Sequence, residues 1–217
     1  MTSQGFGYPL GVDLPGERRG RIPNGEFYDK IYTQWNPFTV ISIAIGQGEI
    51  EETPLQICNL AATIANRGYY YAPHVVKKIT DAALDSIFTD KKHTGIESEY
   101  YDPVVAGMRK AVTGGTCYGA NLPNIEVCGK TGTAQNKGKD HSIFMAFAPA
   151  DDPKVAISII VENGGFGATY AVPMGRLMLE KYLNGEISQS DKWIEEKLKN
   201  TVILRNVLPK KQNQDME

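Results

Sequence analysis

The sequence predicts an α+β protein in which helices pack on an antiparallel β-sheet. Three observations carry that class: three strand-like segments follow one another between residues 125 and 164, a capped helix is written between Thr53 and Gly68, and a further helix follows the last strand. The 217 residues, 41% hydrophobic and 22% charged, suit one globular domain with an appendage. The 23 basic and 25 acidic residues nearly cancel, so no overall field recruits nucleic acid or an anionic membrane surface. The longest apolar runs, Val155–Val161 and Val40–Ile45, fall far short of the ~20 residues that span a bilayer.

In chain order, Gly5–Asn24 carries Gly and Pro every few residues and reads as a surface loop. Phe38–Ile45 is rich in β-branched residues and reads as a buried strand, its length also admitting a short helix; Gly46-Gln47-Gly48 breaks it. Thr53, Pro54 and Gln56 form a T-x-x-Q capping box for a core helix that Gly68 stops. Tyr69-Tyr70-Tyr71 is expected to pack rather than bind, ahead of the β-rich segment HVVKKI. Asp81–Glu99 is polar and reads as a surface excursion. A second helix follows, with Asp102 as cap, Pro103 in its first turn, Val104, Val105, Met108, Ala111 and Val112 inward, and Gly114 at its end.

Next comes a meander: IEVCGKTGTAQ, the turn NKGKDH, SIFMAFAPA, the turn DDPK, and VAISIIVENG. Short connections imply antiparallel pairing. The glycine-rich loop Asn163–Gly167 leads to a helix over about 170–183 with Leu177, Met178, Lys181 and Tyr182 as its stripe and Gly185 ending it. A short helix over Asp191–Lys199, built around Trp193, Ile194 and Leu198, precedes a polar tail expected to be disordered.

The chemistry concentrates in Gly129-Lys130-Thr131-Gly132-Thr133-Ala134-Gln135. One reading is a phosphate-cradling loop, because such loops also end in Gly-Lys-Thr. Spacing excludes it: the glycine required five residues before Gly129 is Asn124, and a further strand follows where a helix is needed. The other reading is an extended edge, with Lys130 and Gly132 on one face and Thr131 and Thr133 on the other. Gly132 leaves room for an approaching backbone. On this reading a peptide would add to the edge, the hydroxyls and the Lys130 ammonium would grip its carboxylate, and the Thr133 N–H would serve an oxyanion hole. Cys58, Cys117 and Cys128 share no C-x-x-C spacing and read as free thiols; His74, His93 and His141 lack metal-binding spacing, so neither metal nor cofactor is expected.

At these residues the chain resembles the penicillin-recognising serine enzymes, whose third signature is K-T-G. The resemblance extends to GFGYPLGVDLPGE, GRIPN, IAIGQGEIEETPLQICNLAATIANRGYYYAPHVV, GMRKAV and GGT, and covers about Gly5–Gly185. These stretches are similar to the C-terminal part of class B penicillin-binding proteins, of the penicillin-binding protein 2 type. The resemblance implies a partial penicillin-binding transpeptidase fold, similar to serine β-lactamases. Residues 1–185 would hold the C-terminal portion of the domain and 186–217 a short helix and polar tail.

The resemblance also implies that Lys130 partners the substrate carboxylate and the proton network, that Thr131 adds a hydroxyl, and that Gly132 keeps the strand open. Thr133 would give the oxyanion donor and a carboxylate contact, with Gln135 nearby. The implied partners are the D-Ala-D-Ala stem peptide, β-lactams and other cell-wall synthesis proteins. The implied parent is a serine D,D-transpeptidase anchored in the inner membrane with this domain on the periplasmic side. A D,D-carboxypeptidase, β-lactamase or β-lactam sensor shares K-T-G, and a non-catalytic scaffold is the alternative of a different class. One departure is large: no Ser here has Lys three residues later, and none has Asn two residues later. The first two signatures, and any export signal or anchor, are expected upstream, and the chain alone is expected to be inactive.

Overall fold

The computed structural model describes residues 1–32 and 34–203. Its helices and strands, in chain order, are α1 (Gly25–Ile31), α2 (Pro37–Ala44), α3 (Pro54–Ala65), β1 (Tyr69–Tyr70), α4 (Ser86–Thr89), β2 (Lys92–His93), α5 (Tyr101–Gly114), β3 (Cys128–Ala134), β4 (His141–Ala148), β5 (Val155–Val161), α6 (Ala171–Asn184) and α7 (Lys192–Lys199). Strands β3, β4 and β5 form an antiparallel sheet in that order, so β3 is an edge. β1 and β2 make a separate two-stranded ribbon.

Side-chain alternation divides the sheet into two faces. Phe144, Ala146, Ile157 and Ile159 bury against Val172 and Leu179 of α6. Cys128 and Phe147 bury against Ile64 of α3 and Val105 and Met108 of α5. The register places Thr131 opposite Phe144 and Thr133 opposite Ser142, on the α6 face, and Lys130 opposite Met145 on the α3 face. The alternation expected for the Lys-Thr-Gly-Thr stretch therefore holds.

The capping box on α3 is formed in full: Thr53 Oγ1 accepts from Gln56 N, and the Gln56 side chain accepts from Thr53 N at 3.0 Å. The same Gln56 is 1% exposed, and its Nε2 donates to the carbonyls of Gly5, Tyr8 and Arg19 at 2.9–3.2 Å. That side chain fastens the opening loop, whose Phe6 and Leu10 are buried; the segment is a loop, but its anchors sit in the core rather than at the surface. Glu17 folds the loop on itself by accepting from the amides of Leu10, Gly11 and Val12.

Several expectations are corrected. Phe38–Ile45 is helical and not buried: Asn36 Oδ1 caps Phe38 N, Pro37 occupies the first turn, and Phe38, Val40, Ile41 and Ile45 are more than half exposed. The cap signal outweighs β-branched content. Segment HVVKKI forms no strand, because Val75 and Val76 donate their amides to the Asp13 carboxylate instead of a ladder. The 81–99 excursion is mostly exposed yet supplies α4 and β2, and its Thr94 is buried on Tyr101. Asp102 does not cap α5, which begins at Tyr101; its carboxylate accepts from Arg67 Nε at 3.0 Å. Val104 faces outward on that helix, and Ala111 is only half-buried.

The stripe of α6 is also rotated from the one expected. Leu177 is buried, but Met178, Lys181 and Tyr182 are exposed, and Ala171, Val172, Gly175 and Leu179 face the sheet. A Cβ on Gly175 would lie 2.5 Å from Phe144 Cε1, so helix and ring touch only because that position has no side chain. Tyr70 packs in the core at 3% exposure, as expected for the tyrosine run, while Tyr71 stays outside. α7 forms over Lys192–Lys199 with Trp193 exposed; the tail from residue 204 onward lies outside the described residues. Among the described residues, no helix is long and apolar enough to cross a membrane.

Candidate active site

Lys130, Thr131, Gly132 and Thr133 lie consecutively on the edge strand β3, and Gln135 follows its end, exposed. The structure brings the first four to one shallow cleft of about 270 Å³, walled by Ile45 and Gln47 from the loop after α2 and by Ile57 of α3. Gln135 is not part of that wall.

The cleft is defined by how the edge disposes its backbone. Thr131 O accepts from the Lys130 ammonium at 2.8 Å, and Thr133 O accepts from Gln47 Nε2 at 3.0 Å. Neither carbonyl is spent on β4. In an antiparallel strand the N–H and C=O of one residue point to the same side, so the Thr133 N–H also faces the cleft. Backbone donors turned toward a cleft in this way are the groups from which oxyanion holes are built. Lys130 is exposed and provides the positive charge beside it.

The hydroxyls are organised from behind. Thr131 Oγ1 is 2.8 Å from Thr116 Oγ1, which belongs to the Gly-Gly-Thr segment after α5. Buried Ser142, opposite Thr133, donates to the carbonyls of Phe166 and Gly167 and accepts from Ala171 N, tying the glycine-rich loop and the start of α6 under the strand. A Cβ on Gly167 would stand 2.5 Å from Ile143 O and 3.0 Å from Thr131 Cβ, which explains a glycine there. Arg109 of α5 donates to Val127 O at 3.0 Å and fixes the lead into β3.

None of these groups is placed as a nucleophile. Ser142 is engaged on the far face, and the hydrogen bonds of Thr116 go to Thr131 and Cys117 rather than to a base. Burial pushes the Cys117 thiol up, against the pull of Thr116, the Thr131 amide and Lys130, so it stays protonated at neutral pH. A larger cleft, about 700 Å³, lies elsewhere, between residues 118–123, the start of α6 and α7. Two of its charged groups, Arg176 and Asp191, are committed to each other. Size is outweighed here by the convergent donors on β3.

Sequence reasoning missed Gln47 and Thr116 as site residues. Both stand in stretches that carry the resemblance, IGQGE and GGT, but only the folded chain brings them to β3 across 86 and 15 residues.

The family described as the penicillin binding protein transpeptidase domain matches residues 1–180. The chain belongs to that family. A peptidoglycan D,D-transpeptidase MrdA of Acinetobacter baumannii is 36% identical over 192 residues, covering 79% of this chain and 28% of the relative. The structure of Pseudomonas aeruginosa PBP2 in complex with WCK 5153 superposes with a TM-score of 0.76 at 30% identity, over 87% of this chain and 43% of that one. A complex between PBP2 and MreC from Helicobacter pylori gives 0.72 at 30% identity, over 85% and 34%. The chain spans about a third of the length of the curated relatives it matches. The α+β fold expected from the sequence is that of these neighbours.

Proposed function

We propose that this chain is the Lys-Thr-Gly wall of a serine D,D-transpeptidase of peptidoglycan synthesis, and that the nucleophile is supplied by a part of the protein outside these 217 residues. The observation that carries the reading is the edge of β3: an exposed ammonium, a cleft-facing Thr133 N–H and paired threonine hydroxyls on the outermost strand of the sheet, where a peptide would add. On this reading residues 1–185 hold the C-terminal portion of the transpeptidase domain, and residues 186–217 are an appendage.

In the reaction, a serine hydroxyl attacks the carbonyl of the terminal D-Ala-D-Ala amide. Its proton passes through a neighbouring base to the departing D-alanine amine, and an ester to the penultimate D-alanine remains. An amine of a second stem peptide then attacks the ester, forms the cross-linking amide and returns the serine. This chain contributes three things. The Thr133 N–H takes charge from the carbonyl oxygen as it becomes tetrahedral. Lys130, Thr131 and Thr133 hold the terminal carboxylate, and Lys130 joins the proton network. Gly132 admits the peptide backbone, and Gln135 lies at the outer end of the same edge. A β-lactam presents the same carboxylate and carbonyl and stops at the acyl ester. The parent is proposed to be membrane-anchored, with this domain on the outer side and with cell-wall synthesis proteins as partners, of the kind MreC is to the Helicobacter pylori neighbour.

The product of the whole gene, given a D-Ala-D-Ala peptide and an amine acceptor, is expected to release D-alanine and form the new amide in equal amounts. Release of D-alanine with water as the sole acceptor would replace transpeptidation by carboxypeptidation. Hydrolysis of a β-lactam with rapid turnover would make the protein a β-lactamase.

A further inference from the structure

Both cleft-facing carbonyls of β3 are occupied by the protein's own donors, Thr131 O by Lys130 and Thr133 O by Gln47. A peptide that adds to an edge strand must bond those outward groups. As folded, the edge is closed to the addition that the site would perform.

The two caps differ in kind. Lys130 bonds the carbonyl of the next residue, and its long stem can retain charge near the cleft after letting go. Gln47 instead reaches β3 from another part of the chain. It stands between Gly46 and Gly48, both with positive φ (75° and 74°), directly after the last turn of α2. A Cβ on Gly46 would meet nothing within 4 Å, and one on Gly48 only Ser42 Cβ at 3.6 Å, so the turn is not wedged by its neighbours. Its carboxamide presents to Thr133 O the same kind of amide N–H that a peptide would.

We propose that Gln47 is a specificity-determining residue: its carboxamide stands in for the substrate's amide N–H on the Thr133 carbonyl, and only a ligand that offers an amide there displaces it. This rests on the peptide-edge reading of β3. An extended peptide replaces the lost hydrogen bond and takes the edge. A ligand without that amide leaves Thr133 O either capped or unpaired, and is disfavoured.

The test is a titration of the 217-residue chain with diacetyl-Lys-D-Ala-D-Ala, followed through the NMR signals of the β3 amides and of the Gln47 side-chain NH₂. Binding is expected to shift the β3 signals and move the Gln47 NH₂ toward the position of a solvated carboxamide. Gln47→Ala, which removes the competitor, is expected to bind about fivefold more tightly, the scale of one net hydrogen bond. Gln47→Glu, which offers no N–H to the carbonyl, is expected to match the alanine variant or exceed wild type. Equal or weaker binding by Gln47→Ala, with the β3 signals still shifting, would overturn the cap and leave the edge reading intact. No shift of the β3 signals in any variant would overturn both.

Discussion

Lys130→Ala in the product of the whole gene is expected to slow acylation by a β-lactam about 10²- to 10³-fold, the scale for removing one preorganised charge-stabilising donor from a transition state. The expectation follows from placement. Lys130 is exposed, on the face of the edge strand opposite to Thr131 and Thr133, and its one bond in this structure is to the carbonyl of its neighbour. It carries no packing and pairs with no carboxylate among the described residues. The substitution should therefore change stability by no more than about 0.5 kcal/mol, as for a surface residue. Acylation rate and melting temperature, measured on the same variant, separate the two contributions. A loss of stability in step with the loss of rate would make Lys130 a structural residue and remove the main cation of the proposed site.

Arg176→Ala is expected to destabilise the fold by about 3–5 kcal/mol, the range for breaking a buried ion pair from one side. Arg176 reaches Asp191 through Nε and through Nη2 at 3.0 Å, and donates to the Asn121 carbonyl through Nη1. The side chains of Arg176 and Asp191 are 15% and 5% exposed. Truncation strands a buried carboxylate and frees three connections at once, between α6, the turn before α7 and the segment leading to β3. At ~2–4 °C per kcal/mol for a chain of this size, the melting temperature should fall by roughly 10 °C. The paired change Arg176→Met with Asp191→Leu should recover most of that loss, because it removes both charges and keeps the volume. If the single variant melts within about 2 °C of wild type, the pair is not what fastens α7 to the domain.

The parts of the fold legible in the sequence are those written by local signals. Thr53, Pro54 and Gln56 spell a capping box, and the box forms atom for atom. Segments 128–134, 141–148 and 155–161 are separated by turns too short for a crossover, and they pair as an antiparallel meander. The same signals marked the Lys-Thr-Gly-Thr stretch as an edge once the phosphate-loop spacing failed.

What was not legible depended on competition between signals or on distant partners. Asn36 and Pro37 announce a helix, but the β-branched run after them argues for a strand; the cap prevailed, and the helix leaves its apolar residues in solvent. On α6 the bulky residues suggested the inward stripe, whereas the close approach of Phe144 demanded Gly175 and a face of small residues. Gln56 reads locally as a capping residue, yet its carboxamide also holds three carbonyls from a loop 37 to 51 residues away. Gln47 reads as a linker between glycines, and its role depends on a strand 86 residues later. Local grammar specified the elements, and long-range hydrogen bonds specified how the site is closed.

Strand β3 is proposed to carry one wall of an acylating site whose nucleophile lies outside these residues. Intact-protein mass spectrometry after incubation with benzylpenicillin, on the 217-residue chain and on the product of the whole gene, puts that division to the test. The expected result is no added mass on the chain and the mass of one opened penicillin on the whole product, lost again when Lys130 is replaced. One penicillin bound covalently to the 217-residue chain alone would refute the division, because it would place a working nucleophile within these residues.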